Sequence, residues 1–306
     1  MIEKNYFALL LGLILCWHNG QASAQSNPGD TLKIIATLFP LAEFAESVVG
    51  PYGKVEMLLP PGAEAHSWRP RPSDLIKIAH ADMIIYAGGG MEPWLQDILQ
   101  SVANPDLVRL EASQGLDLLR DIEHQHEHGA EFDPHIWLDF ENDQFIIQNI
   151  ASALSGVAPY HSAYFQKQAK AYNQKLAALD EIYRKALHNC RGRTMIVGGH
   201  AAFGYLARRY KLKQVALLGL NPDARPTAKQ LKEVVDLANT QKIETVFFEE
   251  LVNEDLARVI AKEIGAQTLV LNPGANLTRD QRRQGVTFLD LMKTNLDNLK
   301  KGLGCQ

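Results

Sequence analysis

Residues 159–189, PYHSAYFQKQAKAYNQKLAALDEIYRKALHN, hold no glycine and no proline after the first position. Within them Tyr164, Phe165, Ala169, Tyr172, Leu176, Leu179, Ile182 and Leu187 recur at mostly helical intervals, the pattern of a helix with one apolar stripe. An unbroken helix over this stretch is about 45 Å long at roughly 1.5 Å per residue. It is either a stiff strut joining two domains, which limits how far they hinge, or an ordinary helix lying along one of them.

The flanking sequence has a repeated rhythm. Before the helix, TLKIIATLF, KVEMLLP and ADMIIYAGGG read as strands, with PLAEFAESVVG and SDLIKIAHA as helices between them. After it, TMIVGGH, QVALLG, ETVFFEE and QTLVLNP read as strands, separated by AAFGYLARRY, TAKQLKEVVDLANTQ and NEDLARVIAKEIG. Strand, helix and strand at this spacing are βαβ units on a parallel sheet. The expected fold is therefore α/β: an N-terminal lobe over residues 25–158, a linking helix over 159–189 and a C-terminal lobe over 190–306.

The first 24 residues are set apart. One lysine near the start, an apolar run from Phe7 to Trp17 and Ala22-Ser23-Ala24 before Gln25 make the three-part pattern of a secretory signal peptide, cleaved after Ala24. The apolar run is too short to span a bilayer, which takes roughly 18 apolar residues. Cys16 is not read as a lipid acceptor, because Leu15 stands where a small residue is needed and Trp17 follows. The mature protein is expected to be soluble, exported and periplasmic. Cys190 and Cys305 remain in it, an even number in an oxidising compartment, which allows a disulfide that ties down the C-terminal tail. A formal net charge of -4 with scattered basic residues argues against nucleic acid as a partner.

Chemistry concentrates in the histidines. Of ten in the chain, His124, His126, His128 and His135 fall within EHQHEHGAEFDPHIWLD. His66 follows the strand KVEMLLP through a short loop, His135 lies in DPHIWLD, and His200 closes the strand MIVGGH. Ligands of open α/β sheets bind at the carboxyl ends of strands. A lone histidine is more often a surface or packed residue, but three near strand ends, each close to a glycine or proline, can converge on a cleft between the lobes. Pro134 fixes its own backbone and keeps Asp133 extended, so His135 is presented on a rigid turn. Asp133 and Asp139 are both candidates to accept the second ring N–H of His135, which fixes a ligating tautomer.

At this point a family resemblance is specific. ATLFPLAEFAESVVG, PPGAEAHSWRPRPSDLIKIAHADMIIYAGGGMEPWL, DPHIWLDFEN, VGGHAAFGYLARRYKL, NPDARPTAKQLKEVVDL, FFEELVNEDLARVIAKEIGAQTLVLNP and TFLDLMKTNLDNLKKGL together resemble the metal-binding solute-binding proteins of ABC importers, in the zinc and manganese cluster and most like its zinc members. The resemblance covers most of the mature chain. It implies a metal site in the interlobe cleft formed by His66, His135 and His200, with Zn2+ as the transported ligand, an ABC transporter permease as the membrane partner and a monomeric state. Manganese importers similar to it often carry a carboxylate at the third position, and a histidine there favours zinc, since harder oxygen donors suit manganese. The His-rich stretch 123–131 resembles, in short form, a loop that marks zinc members.

One departure bears on the fourth ligand. Many relatives have an aspartate after the last strand, where this chain has Asn272 in VLNPGANLT. A neutral amide oxygen is a poor zinc ligand, which leaves the position to water or to another residue. Glu64 and Glu249 are the carboxylates considered, and Glu249 matches a family glutamate that is more structural than ligating. The loop histidines His124, His126 and His128 form either a weak auxiliary metal site that collects or senses zinc, or a plain solvated loop. Being partly protonated near a pKa of about 6.5, they should bind more weakly than a preorganised trio.

The remaining features read as structural. AGGGME lacks the spacing of a dinucleotide-binding turn and is taken as a tight strand-to-helix connection. His80, His161 and His188 are read as helix surface residues, and Trp68, Trp94 and Trp137 as walls of the cleft or domain packing. Two other functions compete with zinc capture inside the same residue set. A manganese or other divalent-metal binding protein uses the same architecture. A periplasmic zinc hydrolase also uses three histidines and an open position, but no H-E-x-x-H or other hydrolase signature is present. An adhesin is a third class. The expected protein is a binding protein and not an enzyme.

Overall fold

The computed structural model describes residues 31–120, 132–251 and 254–306. The leader 1–24 and the histidines at 124, 126 and 128 lie outside the described residues. Among the described residues, no helix is long and apolar enough to cross a membrane.

The N-terminal lobe runs β1 (Leu32–Ala36), α1 (Phe39–Val49), β2 (Gly53–Met57), α2 (Pro72–Ala79), β3 (Met83–Tyr86), α3 (Leu95–Ser101), β4 (Val108–Glu111) and α4 (Phe140–Val157). Its four described strands are all parallel, in the order β2-β1-β3-β4. Helix α5 (Ser162–Ala186) follows. The C-terminal lobe then runs β5 (Thr194–Val197), α6 (Gly204–Tyr210), β6 (Lys213–Ala216), α7 (Ala228–Gln241), β7 (Thr245–Phe248), α8 (Asp255–Ile264), β8 (Gln267–Val270), α9 (Arg279–Gln284) and α10 (Phe288–Leu303). Its sheet repeats the topology, β6-β5-β7-β8, again parallel. The inner strands explain themselves: MIIY of β3 is buried at every position, because helices cover both faces of a parallel sheet and leave no side for polar residues. In each sheet the chain changes direction between the first and third strands, and the carboxyl ends of those strands open a crevice.

The linking helix is shorter than the sequence pattern predicts. Pro159–His161 form a 3-10 turn, and α5 itself has 25 residues. His161 is not a free surface residue, since its ring stacks on Tyr52 with centroids 3.8 Å apart. Ile182, counted in the apolar stripe, is 53% exposed, while Tyr183 beside it is fully buried. The buried face of α5 touches both lobes: Phe165, Ala169 and Tyr172 lie on the side of α1 and α4, and Tyr183 stacks on Tyr210 of α6. Helix α10 returns against α5 and α1. There Glu43 accepts from the Phe288 N–H at 2.7 Å and from the Tyr172 hydroxyl, and the Tyr183 hydroxyl donates to the Met292 carbonyl. Cys190 and Cys305 form a disulfide that fastens the chain after α10 to the start of the second sheet.

The AGGGME segment is a structural turn. Buried Glu92 accepts from Thr37 Oγ1 and from the backbone N–H groups of Ala87 and Gly88, so its carboxylate joins the ends of β1 and β3.

Candidate metal centre

His66 is carried by the loop after β2. Pro60, Pro61 and Gly62 turn the chain, with Gly62 in a left-handed conformation at φ 84°. The loop is held from the other lobe: the Asn276 side-chain amide donates to the carbonyls of Pro60 and Ala63, at 2.8 and 2.9 Å, and Gly62 N–H donates to Leu277 O. Asn276 was not named from the sequence, where nothing local marks a partner more than two hundred residues away.

His135 is fixed by Asp133. One oxygen, Oδ1, accepts both the His135 backbone N–H at 2.9 Å and its ring Nδ1 at 2.8 Å. Asp139, the other candidate, points elsewhere: it caps α4 by accepting from Glu141 N and pairs with Arg209. Next along the chain, Trp137 is fully buried and donates from its indole to Pro273 O across the lobe boundary.

His200 sits after β5, and Glu249 after the neighbouring strand β7. Glu249 Oε1 accepts the His200 backbone N–H at 3.1 Å and ring Nδ1 at 2.8 Å, repeating the Asp133–His135 arrangement in the other lobe. The glycines of GGH make this approach possible. A Cβ at Gly198 would lie 2.4 Å from Ala257 of α8, and one at Gly199 would lie 2.5 Å from Glu249 Oε1.

The three rings meet at the boundary between the lobes. Their centroids are 5.2, 5.2 and 5.1 Å apart. His66 Nε2 is 3.2 Å from His135 Nε2, which is 3.1 Å from His200 Nε2. An ionised carboxylate can only accept, so Nδ1 of His135 and of His200 carries the hydrogen and Nε2 presents a lone pair. Lone pairs facing one another at such distances repel unless a proton or a cation lies between them. For zinc bound at about 2.0–2.1 Å, the edge of a regular tetrahedron of nitrogens is about 3.3 Å. The two spacings to His135 Nε2 are within a few tenths of an ångström of that edge, and these three side chains, with ligand atoms within 4.8 Å of one another, form the only such metal-ligating group found among the described residues.

Electrostatics keeps two rings neutral. Burial first, then the positive charge His135 and His200 would carry, hold His66 down to about 3. Burial and His200 likewise hold His135 well below the ordinary histidine value. For His200 burial also acts downward, but the charge and hydrogen bond of Glu249, with Glu64 and Asp133, outweigh it and leave its pKa raised. Glu249 Oε2 is buried with no hydrogen-bond partner, and Glu249 borders the same cavity as the three rings.

The other candidates for a fourth ligand have defined contacts. Asn272 Oδ1 accepts from Gly274 N, and its amide donates to Glu250 Oε2 at 3.0 Å. Glu64 Oε2 accepts from the Ser67 backbone N–H and hydroxyl. Both residues still border the cavity, which measures about 30 Å³. A larger groove of about 780 Å³ runs between Pro60–Ala63 and α9, but no histidine lines it.

The family described as ZnuA, zinc-uptake complex component A, periplasmic, matches residues 34–302. The chain is 34% identical over 304 residues to the high-affinity zinc uptake system protein ZnuA of Bacillus subtilis strain 168, covering 97% of this chain and 95% of that one. It is 35% identical over 299 residues to the zinc-binding lipoprotein AdcA of Streptococcus pneumoniae, where it spans 95% of its own length but only 58% of the longer relative. Among solved structures, the Zn(II)-bound ZnuA-like domain of Streptococcus pneumoniae AdcA superposes with a TM-score of 0.77 at 35% identity, covering 89% of this chain and 99% of that domain.

Proposed function

The chain belongs to the ZnuA family of periplasmic zinc-uptake components, and from that premise we propose that it captures Zn2+ through His66, His135 and His200 and delivers it to the permease of an ABC importer. One observation carries the reading: His66 and His200 each bring Nε2 to nearly the edge length of a tetrahedral zinc site from His135 Nε2, and the two buried rings are oriented by carboxylates on Nδ1. That is how ligating histidines are held.

Capture fits the cavity better than catalysis does. At about 30 Å³ the cavity is far smaller than the roughly 300–1,000 Å³ of organic-ligand pockets, which favours a bare ion. Neutral imidazoles suit zinc, and the committed amide of Asn272 leaves the fourth position to water or to another residue such as Glu64. Because a ligating imidazole must be neutral, protons compete with the metal for the site as pH falls. Residues 1–24 serve as the export signal, which places the mature chain in the periplasm. We further propose that the histidines at 124, 126 and 128 bind zinc more weakly than the three of the main site.

The test is isothermal titration of the metal-stripped mature protein with zinc and separately with manganese, using a competing chelator. One tight zinc event with manganese far weaker supports the reading. Manganese binding as tightly as zinc would move the assignment to a general divalent-metal carrier, and no tight event with either would reject it.

A further inference from the structure

The two buried histidines come from different lobes, and something must hold their segments in register. Arg209, near the end of α6, does so from the far side of the site. Its Nη1 donates to Asp139 Oδ1 at 2.7 Å and to Glu141 Oε2 at 3.0 Å, and its Nε and Nη2 each donate to Asp180 at 2.7 Å. The side chains of Arg209, Asp139 and Asp180 are each only 8% exposed. One guanidinium therefore joins the C-terminal lobe, the start of α4 in the N-terminal lobe and the linking helix. Tyr210 adds a hydrogen bond to the same Asp180.

We propose that Arg209 is a positioning residue for metal capture: its clamp on Asp139 sets the separation of His135 and His200 across the lobe boundary. The proposal rests on the zinc reading above. His135 lies between Asp133 and Asp139 in one segment, and His200 precedes α6 in the other. The segments are tied at both ends. At the near end Gly204, which starts α6, packs so closely that a Cβ there would lie 2.4 Å from Asp133 Oδ2. The adjacent Tyr205 hydroxyl accepts from Leu119 N, whose carbonyl takes the Asp133 N–H. At the far end stands the Arg209–Asp139 pair. Without it α6 keeps its near-end contacts and its packing on Ile136–Leu138 but loses the charged tie at its far end, and the Nε2 atoms are free to drift from ligand spacing. A planar fork with several donors is needed, because an ammonium cannot reach three carboxylates in these directions.

Two variants test this without depending on one that fails to fold. Asp139→Asn keeps a residue able to cap α4 and leaves Arg209 its contacts to Asp180 and Glu141. Arg209→Lys keeps the charge and removes the fork. Zinc affinity by chelator competition, the visible spectrum of the Co2+-loaded protein and the melting temperature of the metal-free protein are measured for wild type, both single variants and the double variant. The expected result is a loss of about tenfold in zinc affinity, the lower end of what removal of an outer partner costs, with an altered Co2+ band. The double variant should lose little more than either single one, as residues acting through one contact do. Variants that melt earlier yet bind zinc within twofold of wild type, with an unchanged Co2+ spectrum, would overturn the proposal and leave Arg209 a structural residue. A wild-type protein that binds no zinc would overturn the capture reading itself, and the two failures are told apart by the wild-type titration.

Discussion

His135 Nε2 and His200 Nε2 lie 3.1 Å apart, although the residues are 65 positions apart in the chain and belong to different lobes. Each is turned toward the other by a carboxylate on its far nitrogen, Asp133 for one and Glu249 for the other. Two oriented lone pairs at this distance, with His66 Nε2 3.2 Å from His135 Nε2, define a site suited to a cation rather than to a hydrogen-bonded solute.

Replacing His66, His135 or His200 singly by alanine should each lower zinc affinity by more than the roughly 10–100-fold that loss of an outer partner causes. Chelator competition at 25 °C measures it. A variant within a few-fold of wild type would remove that histidine from the ligand set.

Asp133→Asn and Glu249→Gln keep size and shape but no longer hold the Nδ1 hydrogen with a charged acceptor. Each should cost zinc affinity about 10–100-fold while leaving one equivalent bound. The stoichiometry from the same titration separates loss of orientation from loss of the site.

Asp143 makes a pH-dependent contribution of unusual sign. It is fully buried, and neither carboxylate oxygen has a partner. Burial, then the neighbouring charge of Asp139, push its pKa well above the ordinary 3.8 against the pull of Arg209. The folded state therefore keeps a proton that the unfolded state releases, and stability present below pH 3.8 is lost as pH rises toward the folded value. Asp143→Asn should raise the melting temperature near pH 7 by about 2–4 °C for each kcal/mol relieved and change it less near pH 4. An equal shift at both pH values would mean that the carboxyl is not protonated in the fold.

The Cys190–Cys305 bridge closes a loop across a sequence separation of 115. Chain entropy puts its contribution at about 5 kcal/mol. Replacing both cysteines by serine should lower the melting temperature by about 10 °C, at the 2–4 °C per kcal/mol usual for chains of this order. Zinc affinity at 25 °C should be unaffected, because the bridge joins the C-terminal tail to the start of β5, away from the three histidines.

What the sequence made legible was the part encoded locally. The apolar runs marked both parallel sheets, and the glycine and proline contexts of His66, His135 and His200 marked the ends of elements where a ligand binds. Asp133 could be named because it lies two residues from His135. β4 was not read, since VRLE is short, and its residues are only partly buried or exposed, with no continuous apolar run. Ile182 was misplaced because the apolar stripe of α5 shifts to include Asp180, which is buried only through its bonds to Arg209 and Tyr210. The clamp itself was invisible, because Arg209 and Asp139 are 70 residues apart and no local pattern pairs them. Asn272 was recognised as a departure, but its engagement with Glu250 and Gly274 emerges only when the loop is folded.

The central claim is that one zinc ion sits among three histidine Nε2 atoms from both lobes. Anomalous diffraction at the zinc edge, from crystals of the zinc-loaded mature protein, tests it most directly. The account expects one strong peak about 2.0–2.1 Å from Nε2 of His66, His135 and His200. A principal peak elsewhere, or one that leaves any of the three rings beyond bonding distance, would contradict it.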